Sequence, residues 1–162
     1  MVNSGLAIEL ETTQSDFTNG VGLYRTEFPF IMRSRFPTEL EQVELYRKVL
    51  QGYPGKPVVM RTLDVGGDKH LPYLNIPKEE NPFLGFRAIR FCLKNPQIFK
   101  PQLRALLRAS VFGNLFVMFP MISNLQEVLA AKAMMEECRQ ELTKEGKTFS
   151  NSIKVGIMIE IP

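Results

Sequence analysis

The sequence lacks the features that define several large classes of protein. No apolar run approaches the roughly 18 to 20 residues that cross a bilayer, and no repeat or low-complexity tract interrupts the chain. The 20 basic and 17 acidic side chains give a formal net charge of +3, which argues for neither a nucleic-acid nor a membrane partner. With 162 residues, 44% of them hydrophobic, the chain can bury the core of one globular domain.

Cysteine and histidine are scarce. Cys92 and Cys138 lie far apart in apolar helical patterns, where lone thiols are usually buried hydrophobic side chains of a reducing compartment. We therefore expect a cytoplasmic protein. His70, the single histidine, lies in a loop beside Lys69 without a residue to orient it, so we do not interpret it as a phosphate acceptor. The sequence shows no zinc-binding spacing, catalytic triad or nucleic-acid-binding module.

Short β-rich runs alternate with longer helical patterns, which predicts a parallel α/β fold. The predicted strands cover residues 7–11, 21–25, 57–63, 115–121 and 154–161. The last three are apolar at both odd and even positions, which indicates strands buried on both faces. Residues 12–20 are too few for a parallel crossover, which needs roughly a dozen or more. Either the first run is not a strand of the sheet, or a helix is missing there.

The intervals between these runs carry helix signals. The predicted starts of three helices are a capping box at Thr38 and Glu41, the pair Asn95-Pro96, and a second box at Asn124 and Glu127. Pro101 is expected to bend or break the second helix, and Gly146 is expected to end the third. Apolar residues at helical spacing should face the sheet, among them Leu40, Val43, Tyr46, Leu50, Leu125, Val128, Met135, Cys138 and Leu142.

Three of the apolar strands each carry one charged residue toward the carboxyl end: Arg25, Arg61 and Glu160. In a parallel barrel these ends open on one mouth. Arginine binds phosphate or carboxylate through a fixed fork of donors, and a carboxylate beside such anions favours Mg²⁺ as a mediator. The set predicts a site for a small phosphorylated acid. Spacing alone leaves open that Arg25 with Glu27, and Arg61 with Asp64, are simple ion pairs.

Two further segments could add cationic ligands. The turn Gly66-Gly67 permits close approach of the backbone to an anion, with Lys69 nearby. Its spacing is not that of a P-loop. Arg87 follows an irregular segment and is a candidate third anion ligand, whereas surface positions are expected for Arg90, Arg104 and Arg108.

Five motifs are more specific than these spacings: GLYRTEF at 22–28, RTLDVGGDK at 61–69, EENPFLGFRAIR at 79–90, MFPMI at 118–122 and GIMIEIP at 156–162. In this order they resemble motifs of the enzyme I family of the bacterial phosphoenolpyruvate:sugar phosphotransferase system. The resemblance is weaker before Val21. It implies one domain over residues 1–162, part of a phosphoenolpyruvate-binding (β/α)₈ TIM barrel with about its first five strands. A complete barrel takes about 250 residues, so we expect a truncated chain.

The resemblance also implies roles for particular residues. Arg25 and Arg61 would bind the phosphate of phosphoenolpyruvate, Arg87 and Lys69 would line the same site, and Glu160 would bind Mg²⁺. Thr26 and Asp64 would support these residues. The family forms homodimers, and its phosphoryl group passes to a histidine on a separate N-terminal domain and then to the phosphocarrier protein HPr. The family's proton-donating cysteine and acceptor histidine have no counterpart here, so we expect no catalytic residue and no turnover by this chain.

Several alternatives stay open. Pyruvate phosphate dikinase and phosphoenolpyruvate synthase use a similar barrel, and the sugar and nitrogen versions of enzyme I are not separated. The chain could be a non-catalytic barrel remnant that serves as a dimerisation or regulatory module, or an anion-binding protein of unrelated fold. A partial barrel leaves unpaired strand edges, which predicts oligomerisation.

Overall fold

Five parallel strands form one sheet in the computed structural model, which describes residues 1–4, 18–66, 73 and 85–161. The strands are β1 (Val2–Ser4), β2 (Val21–Arg25), β3 (Pro57–Arg61), β4 (Asn114–Phe119) and β5 (Lys154–Ile157). Their order across the sheet is their order along the chain, and every neighbouring pair is parallel. This α/β arrangement is consistent with part of a (β/α)₈ barrel.

The first strand removes the difficulty of a short crossover. The predicted run at 7–11 lies outside the described residues, whereas Val2 pairs with Val21 and Ser4 pairs with Tyr24. Residues 5 to 20 therefore connect two parallel strands, and this length exceeds the dozen or so residues that such a connection needs.

Helices fill the later connections. They are α1 (Phe28–Ile31), α2 (Glu39–Gln51), α3 (Ala88–Lys94), α4 (Pro96–Ala109), followed by a 3₁₀ turn (Ser110–Phe112), and α5 (Leu125–Lys144). The capping box that begins α2 is confirmed, because Thr38 Oγ1 accepts from Glu41 N–H and the Glu41 carboxylate accepts from Thr38 N–H. Among the described residues, no helix combines the length and apolar character needed to cross a membrane.

α4 begins at Pro96 as predicted but continues through Pro101, so the prediction of a break is wrong. A proline within a helix removes one backbone hydrogen bond. The helix persists because buried side chains on both sides of Pro101, including Phe99 and Leu103, pack into the core.

The ends of α5 follow the sequence signals with one change. Asn124 Oδ1 accepts from Glu127 N–H at 3.0 Å, which confirms the cap. The Glu127 carboxylate instead accepts from the N–H of Ser123, at 2.8 Å, so the predicted reciprocal bond is displaced by one residue. Gly146, at a φ of 67°, follows the helix and donates to the carbonyl of Thr143, as an αL residue after a helix commonly does.

The core lies between one face of the sheet and the helices. Val58 and Met60 of β3 and Leu115, Val117 and Phe119 of β4 are buried in it. Residues at the other parity of β4 are only half-buried, and β5 is largely exposed. The prediction of burial on both faces is therefore wrong for β4 and β5, because within the described ranges the helices cover one face only.

Two predicted core positions are also wrong. Leu40 and Leu125 are 59% and 64% exposed. Both belong to the first turn of their helix, and the buried residues begin further along, at Gln42 in α2 and at Ala131 in α5.

Candidate functional site

The carboxyl ends of β2 and β3 bring two arginines side by side. Arg25 is the last residue of β2 and Arg61 the last of β3, and the two are register partners across the parallel ladder. Register partners project from the same face of a sheet. The structure therefore brings the carboxyl ends of the two arginine-bearing strands together, while a shared anion-binding role for the two guanidinium groups stays a prediction.

Arg61 is buried and held by two carboxylates. It is 6% exposed, and its Nη2 lies 2.6 Å from Glu27 Oε1 and 3.3 Å from Asp64 Oδ2. Its Nη1 lies 3.8 Å from Met158 Sδ. Nε has no hydrogen-bond partner within the described part of the chain. Both carboxylates engage Nη2, so neither of them occupies the other donors of the guanidinium.

Arg87 joins the same cluster from the other side of Asp64. Its Nη2 donates to Asp64 Oδ1 at 2.9 Å, and the side chain is buried. Val65 O accepts from Ala88 N–H at 2.9 Å, which holds the segment after β3 against the start of α3. Arg61, Arg87, Glu27 and Asp64 thus form a buried network of alternating charge, and a buried charge of this kind is tolerated because it is paired.

Gly66 makes the approach of Arg87 possible. Its φ is +109°, and a Cβ at this position would lie 2.7 Å from Arg87 Cβ. The structure therefore gives this glycine a packing role. The second glycine of the predicted anion-binding turn, Gly67, lies outside the described residues.

Arg25 is more accessible to solvent than Arg61, its register partner. Its guanidinium lies over the ring of Phe28, 5.3 Å from the centroid, and its buried Nε has no partner among the described residues. Arg25 makes no ion pair with Glu27 there; that carboxylate binds Arg61. The interpretation of Arg25 and Glu27 as a simple pair is wrong, whereas Arg61 and Asp64 do pair.

Glu160 lies beyond β5, which ends at Ile157. The predicted strand to residue 161 is therefore too long. Glu160 is exposed, and its Oε1 accepts from Met121 N–H at 2.8 Å. Met121 follows β4, so this bond places the carboxylate at the same edge of the sheet as the two arginines. Met158, two residues earlier, contacts Arg61.

Two non-glycine residues near this edge have left-handed backbone conformations. Ala88 has a φ of 49° and Met121 a φ of 55°. Ala88 directly follows Arg87, and Met121 binds Glu160. Such conformations cost about 1 to 3 kcal/mol and concentrate at functional sites, so their positions support a binding role for this edge.

Glu127 connects α5 to the segment that carries Arg87. Arg90 Nε donates to Glu127 Oε1 at 3.1 Å, and Arg90 Nη1 donates to Gly85 O at 2.7 Å. Burial alone would raise the pKa of Glu127, but hydrogen bonds from Ser123 and Arg90 hold it below its usual value. Arg90 is therefore a partly buried structural residue, and so are Arg104 and Arg108, which pair with Glu39. The side chains of these three arginines are 21%, 14% and 25% exposed, so they lie at the surface as expected, but partly buried and held in ion pairs.

The two cysteines are free and buried, as predicted. Burial raises the pKa of the Cys92 thiol far above its usual range, with a smaller contribution from Asp64. Burial also raises the pKa of Cys138, to about 12. Both thiols are therefore protonated at neutral pH and enclosed in the core.

Lys69, the remaining predicted ligand, lies outside the described residues. Sequence reasoning missed two members of the site: Glu27 as the main partner of Arg61, and Gln102. Gln102 lies on α4, distant in sequence from every motif, and contacts the ends of both arginine-bearing strands. A polar residue within the apolar stripe of a helix was the one signal that could have identified it.

Glu160 is the residue at this edge that could bind Mg²⁺. One Glu160 oxygen binds Met121 N–H, and the exposed carboxylate can offer the other to a cation. Within the described part of the chain, no cluster of three or more His, Cys, Asp or Glu side chains could hold a metal by itself. Mg²⁺ characteristically uses one or two carboxylates and completes its shell with substrate oxygens and water, so a single exposed carboxylate fits this manner of binding.

Comparison with known proteins identifies the family to which this chain belongs. The family model described as "PEP-utilising enzyme, PEP-binding domain" matches residues 1–162. Proteins named phosphoenolpyruvate-protein phosphotransferase are similar over 160 residues, or 99% of this chain, at 56% identity in Staphylococcus carnosus, 55% in Priestia megaterium and 54% in Geobacillus stearothermophilus. The chain spans 28% of the length of each of these relatives. It belongs to the family of phosphoenolpyruvate-utilising enzymes and corresponds to their phosphoenolpyruvate-binding domain.

Proposed function

We propose that this chain is the phosphoenolpyruvate-binding part of a phosphoenolpyruvate-protein phosphotransferase. The observation that carries the proposal is the register pairing of Arg25 with Arg61 at the carboxyl ends of β2 and β3. Two guanidinium forks on one rim match the bidentate geometry of a phosphate or carboxylate. The domain is proposed to be part of a (β/α)₈ barrel, in which this edge forms the mouth.

The two arginines have different proposed tasks. Arg61 is fixed by Glu27 and Asp64, so it presents its remaining donors without a loss of side-chain freedom on binding. Arg25 stacks on Phe28 and faces the same rim with its positive charge unpaired by the described carboxylates. Arg87 is proposed as a third guanidinium of the site, and its ion pair with Asp64 holds it in place. Lys69 is proposed as a further ligand from sequence alone.

Glu160 is the proposed magnesium ligand, through the oxygen that Met121 does not bind. A bound Mg²⁺ would neutralise charge on the phosphate and carboxylate oxygens of the substrate. The chain's own contribution is the placement of positive charge, which is the main protein contribution to phosphoryl transfer.

The whole protein is proposed to pass the phosphoryl group to a histidine on another domain and then to HPr, in the cytoplasm, as a homodimer that serves sugar transport. Neither thiol of this chain suits proton donation to an enolate, because Cys92 and Cys138 are buried. We therefore expect this chain to bind phosphoenolpyruvate without turnover.

Calorimetric titration with phosphoenolpyruvate and MgCl₂ tests the proposal. Arg25→Gln should weaken binding roughly 10- to 100-fold, since hydrogen bonds to charged groups contribute about 1.5 to 3 kcal/mol. Arg47→Gln is a matched control, because Arg47 also lies over a phenylalanine ring, at 5.6 Å from the Phe112 centroid, but belongs to α2. Equal affinity in the two variants would contradict the assignment of the site.

A second function, a non-catalytic dimerisation module, is favoured by one observation. Ile157 and Ile159, in and after β5, are 40% and 91% exposed, which gives an apolar strand edge suited to another copy. A wild-type chain that dimerises but does not respond to phosphoenolpyruvate in the same titration would support this alternative.

A further inference from the structure

One buried amide connects the two arginine-bearing strands. Gln102 lies on α4 and is 1% exposed. Its Oε1 accepts from Leu63 N–H at 2.8 Å, and its Nε2 donates to Thr26 Oγ1 at 3.0 Å. Thr26 follows Arg25, and Leu63 lies two residues after Arg61. The side chain therefore binds the segment that follows each strand.

The hydrogen-bond network fixes the orientation of this amide. Leu63 N–H can only donate, so it must face the amide oxygen. The Thr26 hydroxyl donates to Arg61 O at 2.7 Å, which leaves its lone pairs to accept from Gln102. The same holds for Tyr46, whose Oη lies 3.0 Å from Gln42 Oε1 and 3.2 Å from Gln102 Nε2. Every amide hydrogen and the oxygen of Gln102 thus have a partner.

The contact with Thr26 also closes a loop through the backbone of Arg61. Gln102 binds Thr26, Thr26 binds the carbonyl of Arg61, and Gln102 binds Leu63 beyond it. Arg25 and Arg61 are register partners. These three hydrogen bonds therefore connect the backbone that carries the Arg25 side chain to the backbone that carries the Arg61 side chain. A buried amide is costly unless its hydrogen bonds are made, and those of Gln102 are made to the segments after the two strands and to Tyr46.

We propose that Gln102 is a positioning residue that sets the spacing of the Arg25 and Arg61 guanidinium groups at the anion-binding edge. The inference rests on the proposed function, since its consequence for affinity requires phosphoenolpyruvate to bind there. Residues that orient ligating side chains commonly contribute 10- to 100-fold to binding or activity, and small displacements of a binding group have large effects.

The test compares two buried glutamines of the same network. Gln42 is 2% exposed and binds Tyr46 and the carbonyl of Pro37, but neither arginine-bearing strand. Gln102→Met and Gln42→Met make the same chemical change at similar burial. Calorimetry with phosphoenolpyruvate and MgCl₂ should show affinity reduced roughly 10- to 100-fold in Gln102→Met and near the wild-type value in Gln42→Met.

A second measurement does not require substrate. The arginine Nε–Hε resonances of Arg25 and Arg61, observed by NMR, should shift in Gln102→Met and stay in place in Gln42→Met. If wild-type protein does not bind phosphoenolpyruvate, the proposed function fails, while the resonances still decide the positioning role. Unshifted resonances in Gln102→Met, or equal losses of affinity in both variants, would overturn it.

Thr26→Val serves if Gln102→Met does not fold. It removes the hydroxyl that links Gln102 to Arg61 O and leaves the bond to Leu63 intact. We expect the Arg61 resonance to shift in this variant as well. An unchanged Arg61 resonance in folded Thr26→Val would contradict the proposal.

Discussion

At the scale of single residues, the central fact is that Arg61 is buried together with its counter-charges. Arg61, Glu27 and Asp64 are 6%, 1% and 4% exposed. A buried ion pair contributes little net stability, but removing one partner leaves an uncompensated charge. Glu27 therefore has two effects: it compensates the buried positive charge of Arg61, and it holds the guanidinium at the edge where an anion would bind.

Glu27→Ala should lower the free energy of unfolding by about 3 to 5 kcal/mol, because Arg61 loses its closest buried carboxylate. Urea unfolding followed by circular dichroism measures this. Glu44→Ala is the control, since Glu44 pairs with Arg47 at 3.0 Å while 46% of its side chain is exposed. Exposed pairs contribute roughly 1 kcal/mol or less, so similar losses in the two variants would contradict the importance of burial.

The arginines of this site could be predicted from sequence, but their partners could not. A charged residue at the end of an apolar strand is a local signal, and Arg25 and Arg61 both show it. Glu27 is two residues from Arg25 and 34 from Arg61, so proximity in sequence favoured the wrong pair. Gln102 is 76 residues from Thr26. Contacts over such distances depend on how the helices pack against the sheet, which no local pattern specifies.

At the scale of secondary-structure elements, the turn after β3 fixes where α3 begins. Gly66 lies against the Cα and Cβ of Arg87 and the carbonyl of Phe86, and Val65 O binds Ala88 N–H. This close backbone contact brings the Arg87 side chain to Asp64. A side chain at residue 66 would separate the turn from the helix and weaken that ion pair.

Gly66→Ala should therefore destabilise the fold more than Gly55→Ala does. Both glycines have positive φ values, of 109° and 71°, but a Cβ at Gly55 would meet nothing within 4 Å. Gly55→Ala should cost roughly 1 to 2 kcal/mol from backbone strain alone. Gly66→Ala adds a clash with the Arg87 backbone, so its cost should be larger. Thermal unfolding of both variants provides the comparison, and equal losses would count against the packing role.

Helix boundaries could be predicted because caps are local. Thr38 with Glu41, and Asn124 with Glu127, place the starts of α2 and α5 correctly. The direction of first-turn side chains could not be predicted, because Leu40 and Leu125 follow the helical spacing and yet precede the part of each helix that packs. The end of the last strand could not be predicted either. The residues before Glu160 are apolar enough to be interpreted as strand, but the backbone pairing of β5 with β4 stops at Ile157.

At the scale of the whole molecule, the described chain has an incompletely covered sheet. The helices pack on one face, while Phe116 and Met118 on the other face are half-buried. β5 has no strand beside it on its outer edge among the described residues. Beside β5 lies a groove of about 940 Å³, lined by Met135, Phe149, Ile153 and Val155 together with polar and charged side chains, most of them on α5. Unpaired backbone at the edge of a sheet is a surface on which another chain can add a strand.

We therefore expect the protein to self-associate through β5. Ile157→Lys should shift the chain toward monomer, because a lysine on an edge strand opposes pairing with another strand. Leu129→Lys is the matched control. Leu129 is 55% exposed but lies within helix α5 and not on a strand edge. Sedimentation velocity over a concentration series measures both. A wild-type monomer throughout, or equal effects of the two lysines, would show that association does not use the β5 edge, since a general loss of surface hydrophobicity would act alike at both positions.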